Sequence, residues 1–209
     1  MSRWSAAQLC ERIGDVLDIY AGAMGYPRQV ARARTAVTIE HTARPGFRAV
    51  AALDRRSVVG FGYGYRSSDG QWWHEQVRCA LAQPPSEPSA LAQPPGGPAA
   101  QAWLTDAFEL SELHVTPAVQ GRGVGRALIT LLLAELPERR VLLSTPEGPT
   151  RALALYQSLG FAYLRRGYLF PGDSRAFAVL GLDGRPVDGP DAGGSGVRAR
   201  DDARPPADA

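Results

Sequence analysis

The chain has 209 residues, of which 21% are charged and 44% hydrophobic, with a formal net charge of +2. That length suits one core with appendages. The small charge gives no argument for nucleic acid, and no apolar run approaches a membrane span. All 23 basic residues are arginine, a skew that points to a GC-rich coding sequence rather than a binding surface. Two cysteines, Cys10 and Cys79, and no signal-peptide pattern point to a reducing cytoplasm without disulfides.

The first helix is unusually legible. Ser5 and Gln8 have capping-box spacing, and Leu9, Ile13, Val16, Leu17, Tyr20 and Met24 form one stripe. Gly25 and Pro27 close it. A weaker helix is expected to reach about Thr42, with Val30, Ala33 and Val37 inward. Ahead of these helices, Met1-Trp4 supplies at most a strand fragment. Phe47 to Asp54 and Ser57 to Tyr65 read as a hairpin across Asp54-Arg55-Arg56. Its second strand puts Val59, Phe61, Tyr63 and Tyr65 on one face and Gly60, Gly62 and Gly64 on the other. A bare glycine face invites close approach by a helix or a ligand. The aromatic face is open to core packing or to lining an acceptor pocket.

Ser68 and Gln71 repeat the capping-box spacing before a helix with Trp73, Val77, Ala80 and Leu81 inward. Trp72 and His74 fall elsewhere on that helix and are candidates for substrate selection. Gln83 to Ala100 contains an imperfect duplication, Ala-Leu-Ala-Gln-Pro-Pro at Ala80 and again at Ala90. Such a proline-rich stretch cannot offset its ordering entropy by burial and is expected to be a mobile loop. The expected organisation is therefore one domain over 1–183, interrupted by a flexible insertion at 83–100 and followed by a disordered tail at 184–209.

The stretch from Phe108 to Leu136 carries the most information: a strand, a glycine-rich turn, then a strongly apolar helix. Phe108 and Leu110 share one strand face, but the next apolar pair, Leu113 and Val115, is shifted by one residue. A strand absorbs that shift only through a bulge around Ser111-Glu112. The turn Gln120-Gly121-Arg122-Gly123-Val124-Gly125 then meets a helix N-terminus, where converging amides and the helix dipole suit an anion. It lacks the Gly-Lys-Ser/Thr of a triphosphate loop, and Arg126 stands where a dinucleotide fingerprint needs glycine. What remains is a different diphosphate cradle, Gln-x-x-Gly-x-Gly. Further on, Val141-Leu142-Leu143 reads as a short buried strand. Thr150 to Leu159 reads as a helix with Ala152, Leu155, Tyr156 and Leu159 on its apolar face, capped by Gly160 before a strand opening at Phe161.

Leu-His-Val-Thr-Pro, Gln-Gly-Arg-Gly-Val-Gly-Arg and, downstream, Ala-Leu-Ala-Leu-Tyr-Gln-Ser-Leu-Gly-Phe together resemble the GNAT superfamily of acetyl-CoA-dependent N-acetyltransferases. The likeness is close over Phe108 to Phe161 and looser over Phe47 to Asp183. It implies an α/β (α+β) fold: a mixed central sheet with a splayed, bulged motif strand and helices on both faces. It implies that the backbone of Leu113, His114 and Val115 pairs with the pantetheine arm, and that Gln120, Gly121, Arg122, Gly123, Val124, Gly125 and Arg126 hold the diphosphate. Tyr156 would lie near the thioester sulfur as general acid, and the Tyr20–Tyr26 corner would border the acceptor. Many members carry an asparagine seven residues before that tyrosine; here it is Pro149, which removes a side-chain amide.

Acetyl transfer needs a neutral amine, although a free alkylammonium titrates near 10.4. The leaving proton requires a base, for which Glu112 beside the bulge is the first candidate, with Glu109 and His114 behind it. An N–H near His114 or Val115 could serve the oxyanion. Neither cysteine falls in the motif region, so no covalent nucleophile is assigned. Glu75, Glu109 and Glu112 would suit a cationic acceptor if they converge. The resulting expectation is a cytoplasmic N-acetyltransferase, with acetyl-CoA as co-substrate and a small amine or N-terminal amino group as acceptor. It would use no metal, nucleic acid or membrane, and a homodimer stays open. The alternatives are a transferase for longer acyl-CoA and a non-catalytic acyl-CoA-binding module.

Overall fold

The structure is a computed structural model that describes residues 1–83 and 102–184. Apart from Gln83 and Gly184, the expected insertion and tail lie outside the described residues. Alternating Val, Phe and Tyr side chains favour extended backbone, and the expected hairpin forms between β2 (Arg48–Asp54) and β3 (Ser57–Arg66). β1 (Ser2–Trp4) is the N-terminal fragment, and it pairs with β2 at the sheet edge. β4 (Ala107–Val115) follows antiparallel to β3, and β5 (Arg140–Pro146) joins β4 in parallel. The last hairpin, β6 (Ala162–Leu169) and β7 (Ala176–Asp183), inserts β7 beside β5. The sheet is seven-stranded and mixed, in the order β1-β2-β3-β4-β5-β7-β6.

The N-terminal capping box is present: Ser5 Oγ accepts the Gln8 N–H at 3.2 Å and Gln8 Oε1 accepts the Ser5 N–H at 2.8 Å. Such a cap stabilises a helix by about 1 kcal/mol. The expected helix breaks once at Arg12, into α1 (Ala6–Glu11) and α2 (Ile13–Met24), and Gly25 ends it in the left-handed conformation at φ 69°. The weaker second helix differs from expectation. It splits into α3 (Arg28–Arg32) and α4 (Thr35–Thr42), with Val30 and Ala33 exposed and Ala31, Thr38 and His41 buried. The inward face of α4 is polar, which a search for apolar spacing misreads.

α5 (Trp72–Ala82) buries Val77, Ala80 and Leu81 as expected, but Gln71 is its cap, and Ser68 bonds Gln71 through its backbone alone, donating its N–H to Gln71 Oε1 and accepting the Gln71 N–H. α6 (Val124–Leu133) stops short of Leu136, because Ala134 is already extended and Glu135 turns into the left-handed region at φ 57°. α7 (Arg151–Ser158) buries Leu153 and Tyr156, whereas Ala152 is exposed.

Helices cover both faces. α6 and α7 pack Leu128, Ile129, Leu132, Leu153 and Tyr156 on Val50, Phe108, Leu110, Val141, Leu143 and Leu180. On the opposite face, α1 to α3 pack on Phe61, Tyr63 and Tyr65, and α5 packs on Ala107, Leu142 and Val179. Each fully buried Leu or Ile here stabilises by about 1.5–3 kcal/mol.

Candidate functional site

The bulge lies where the broken alternation places it. Tyr65 pairs with Glu109 and Gly64 with Leu110, but Tyr63 pairs with Glu112, leaving Ser111 as the extra residue. Residues three apart on a regular strand point to opposite faces. The extra residue cancels that, so Glu109, Glu112 and His114 all face the side of Tyr65, Tyr63 and Phe61. Leu110, Leu113 and Val115 face the glycines instead. There a Cβ on Gly62 would meet Leu113 Cδ1 at 2.9 Å, and one on Gly60 would meet Leu128 Cδ1 of α6 at 3.1 Å. The glycine face therefore serves close approach by a helix.

β4 parts from β5 immediately afterwards. The two strands pair only from Ala107 to Glu109 against Arg140 to Leu142. From Leu110 to Val115 no strand among the described residues pairs with β4 on its β5 side, so Leu113, His114 and Val115 line one wall of an opening. The Val115 carbonyl is taken by Gln120 Nε2 at 2.9 Å, which ties the turn to the strand end.

The turn reaches α6 through a single 3₁₀ turn, Pro117–Val119. Gly121 and Gly123 have φ of 78° and 80°, which glycine adopts without a Cβ penalty. A Cβ at either position would meet nothing within 4 Å, so the loop borders open space. The first bond closing α6 runs from the Ala127 N–H to the Gly123 carbonyl. The amides of Val124, Gly125 and Arg126 precede it and have no carbonyl within the helix to donate to. Gly125 is small for another reason: its Cβ would lie 3.3 Å from Leu155 Cδ2 of α7. Arg126 donates to Ser158 Oγ at 2.6 Å and so links the two helices. Arg122 is exposed and forms no ion pair among the described residues. The arrangement suits a diphosphate, with orphaned amides, helix-dipole charge and one free guanidinium.

The opposite face of β4 holds ionisable groups that differ sharply from one another. Glu112 accepts from Arg34 at 2.6 Å through Oε1 and lies 2.5 Å from His114 Nε2 through Oε2. Burial alone would raise its pKa, but the bonds and charges of His114 and Arg34 outweigh it and hold the carboxyl below its ordinary range. Glu109 is 2% exposed. Its Oε1 accepts from the Tyr65 hydroxyl at 2.7 Å, while Oε2 has no hydrogen-bond partner. Burial dominates there and pushes its pKa up to about 7, against the bond from Tyr65 and the charge of Arg44.

Arg34, Thr38 and His41 lie outside the motifs and apolar stripes of the sequence. Their spacing, i, i+4 and i+7, is a helical stripe made of polar residues, and that was the available signal. The Tyr20–Tyr26 corner does border this cluster: Tyr20 packs edge-on against His114 at 5.1 Å, and Arg34 lies 4.9 Å from the Tyr20 ring centre.

Tyr156 comes from the other side of the sheet, packed against Phe161. Burial, and secondarily the charge of Glu112 across the parted strands, raise its pKa well above the usual phenol value. Its hydroxyl therefore stays protonated, as a donor must. Pro149 is exposed in the turn before α7. Glu75 does not join the other carboxylates, being bonded to Arg78 at the start of α5. His74 is buried between Ser67 Oγ at 2.9 Å and Asp69 Oδ1 at 3.0 Å, away from the parted strands, and Trp72 is exposed.

A strand that leaves its parallel neighbour beside a helix N-terminus with free amides is the arrangement that the resemblance to acetyl-CoA-dependent transferases implies. A family model described as an acetyltransferase (GNAT) domain matches residues 90–163, and the chain belongs to the GNAT superfamily of acetyltransferases. It is 40% identical over 195 residues to a GCN5-like protein acetyltransferase of Mycobacterium tuberculosis, covering 81% of this chain and 90% of that protein. A shorter match, 39% over 80 residues, is to the ribosomal protein bS18-alanine N-acetyltransferase of Escherichia coli, covering 36% of this chain and 54% of the relative. Among solved structures, a Salmonella typhimurium acetyltransferase with acetyl-CoA superposes with a TM-score of 0.56 at 18% identity, covering 92% of this chain and 98% of the other. No helix of the described residues is long and apolar enough to cross a membrane.

Proposed function

We propose that the protein transfers an acetyl group from acetyl-CoA to a primary amine, by direct attack through a tetrahedral intermediate. The observation that carries this reading is the ending of β4–β5 pairing at Glu109, beside the open amides of Val124, Gly125 and Arg126. The residues fit the co-substrate: the turn from Gln120 to Arg126 would hold the diphosphate, and the unpaired side of Leu113 to Val115 would run along the pantetheine arm. The acetyl-CoA in the Salmonella typhimurium structure supports the same choice.

Of the two carboxylates, Glu109 is the better base. Glu112 is held below the ordinary carboxylate range by its bonds to His114 and Arg34 and has little affinity for a proton. Glu109 is poised near neutral pH, where both removing and releasing a proton are accessible. Glu112 would instead fix Arg34 and His114 along the acceptor side. Tyr156, kept protonated by burial, would donate to the departing thiolate.

The acceptor is a small molecule or a protein amine. The similarity to a protein acetyltransferase makes protein amines part of any test. Calorimetry with acetyl-CoA, then thiol release across a panel of small amines, N-terminal peptides and lysine peptides, decides the matter. Binding followed by turnover on some amine is expected. Tight binding with no turnover on any amine would favour an acyl-CoA-binding module.

A further inference from the structure

Acetyl transfer leaves the buried imidazole of His74 without a role. Ser67, which follows β3, donates its N–H to the Ala107 carbonyl at 2.8 Å, and so lies at the opposite end of β4 from the parted strands. The turn after it carries Asp69, and the first turn of α5 carries His74 and Glu75. We propose that Asp69, His74 and Glu75 form a binding site for a divalent first-row transition cation of the Zn²⁺ class, separate from the acetyl-transfer site, with Ser67 orienting the imidazole.

The donor set suits such an ion, since imidazole is a ligand for Zn²⁺ and its neighbours in the series and carboxylates complete the charge. Around a tetrahedral ion with bonds of about 2.0–2.2 Å, ligand atoms stand roughly 3.3 Å apart. His74 Nε2 and Asp69 Oδ1 are already 3.0 Å apart. One donor atom from each of Asp69, His74 and Glu75 lies within 4.8 Å of the others. The Asp69 side chain is 97% exposed and free to turn, which closes the remaining gap. On the far side of the ring, Ser67 Oγ is 2.9 Å from His74 Nδ1. With Nδ1–H donating to that hydroxyl, the lone pair of Nε2 points to the carboxylates, as a metal ligand requires.

The backbone holds this arrangement in place. The Ser68 N–H donates to Gln71 Oε1 and the Gly70 N–H to Glu75 Oε1, each at 3.1 Å, so the turn is tied to the start of α5. Ser67, Asp69, His74, Glu75, Leu104 and Thr105 are among the residues lining a cleft of about 670 Å³, and a fourth coordination position would face it. The charged groups there are Asp69, Glu75 and Arg78, the last paired with Glu75, so the set is negative overall. A bond from a buried imidazole to so exposed a carboxylate adds little to folding stability, whereas an ion would draw on both carboxylates at once.

Calorimetry with ZnCl₂ on the untagged full chain tests the site, with Cys10→Ser and Cys79→Ser in place because thiolates are competing zinc ligands. Binding of a single ion is expected, weakened about tenfold or more in Asp69→Asn and in Glu75→Gln. Both variants leave the buried His74 intact. Mg²⁺, which prefers oxygen ligands, should bind far more weakly than Zn²⁺. The chain has three histidines, His41, His74 and His114, so long-range proton–nitrogen NMR can follow each ring. Zn²⁺ should shift the ring nitrogens of His74 and leave those of the other two in place. Unchanged affinity in both variants, or a shift at His114 instead of His74, would mean an adventitious ion held elsewhere and would overturn the site. Absence of Zn²⁺ binding would overturn it outright, and Mg²⁺ binding as tight as Zn²⁺ would remove the imidazole from it.

Discussion

The two faces of the β3–β4 ribbon are made by the same residues of backbone and behave as different materials. On one face Gly60, Gly62 and Gly64 meet Leu110, Leu113 and Val115, and α6 lies directly on them. On the other, Phe61, Tyr63 and Tyr65 meet Glu109, Glu112 and His114 beneath Arg34, Thr38 and His41. The first face is dry packing with no room to spare. The second buries charge, which costs several kcal/mol per ion unless partners offset it. One inserted residue separates the two regimes. Without Ser111, Glu109 would point into the α6 face, which is an apolar cluster.

The sharpest way to break this comparison is to neutralise its charged side. Glu109→Gln should lower kcat by about 10²- to 10⁴-fold, the range for loss of a general base. The fold should persist, since a neutral amide is easier to bury than a carboxylate. In the wild type, kcat should climb as pH rises through about 7 and level off above, because the carboxylate is the active form. A flat profile, or an active Glu109→Gln, would move the base elsewhere.

The dry side is tested next. Gly64→Ala puts a Cβ 2.5 Å from Phe108 Cε1 and closer still to the Glu109 backbone oxygen. Overpacking of that kind should cost about 3 kcal/mol in a denaturant melt; an unaltered midpoint would mean the ribbon has slack.

At the end of the ribbon, Gly123→Asp should weaken acetyl-CoA binding by roughly tenfold or more in calorimetry. A carboxylate would face the diphosphate, and a like-charge contact disfavours it. Asp tolerates the left-handed φ of 80° better than most residues, so the melting temperature should change little. Unchanged affinity would make the loop a turn and nothing more. Tyr156→Phe should lower kcat by about tenfold with acetyl-CoA affinity preserved. The smallest effect concerns stability. The pKa of Glu109 is raised by folding, so its contribution is full below the ordinary carboxylate range and is lost as pH rises through about 7. Between pH 5 and 8, Glu109→Gln should therefore lose less stability than the wild type.

The dry half of this comparison was largely readable from the chain. Alternation in β3, the shift between Leu110 and Leu113, and the glycines at 121 and 123 gave the hairpin, the bulge and the turn. Each is a local rule acting on neighbours in sequence. The charged half was not. Glu112 is bonded to Arg34 across 78 residues, and Tyr65 to Glu109 across 44. No local pattern reports which carboxylate finds a cation and which stays alone, yet that difference sets their opposite shifts in proton affinity. α4 departs from its apolar pattern for a related reason. Apolar spacing chose Val30, Ala33 and Val37, whereas the buried side is the polar stripe Thr38 and His41, with Arg34 half-buried at its start.

A crystal structure with acetyl-CoA bound is the most direct trial of the proposed chemistry. The expected density has the diphosphate on the amides between Gly121 and Arg126 and the arm beside Leu113 to Val115, with the acetyl group entering the gap that opens beyond Glu109. Thioester bound anywhere else on the molecule would contradict it.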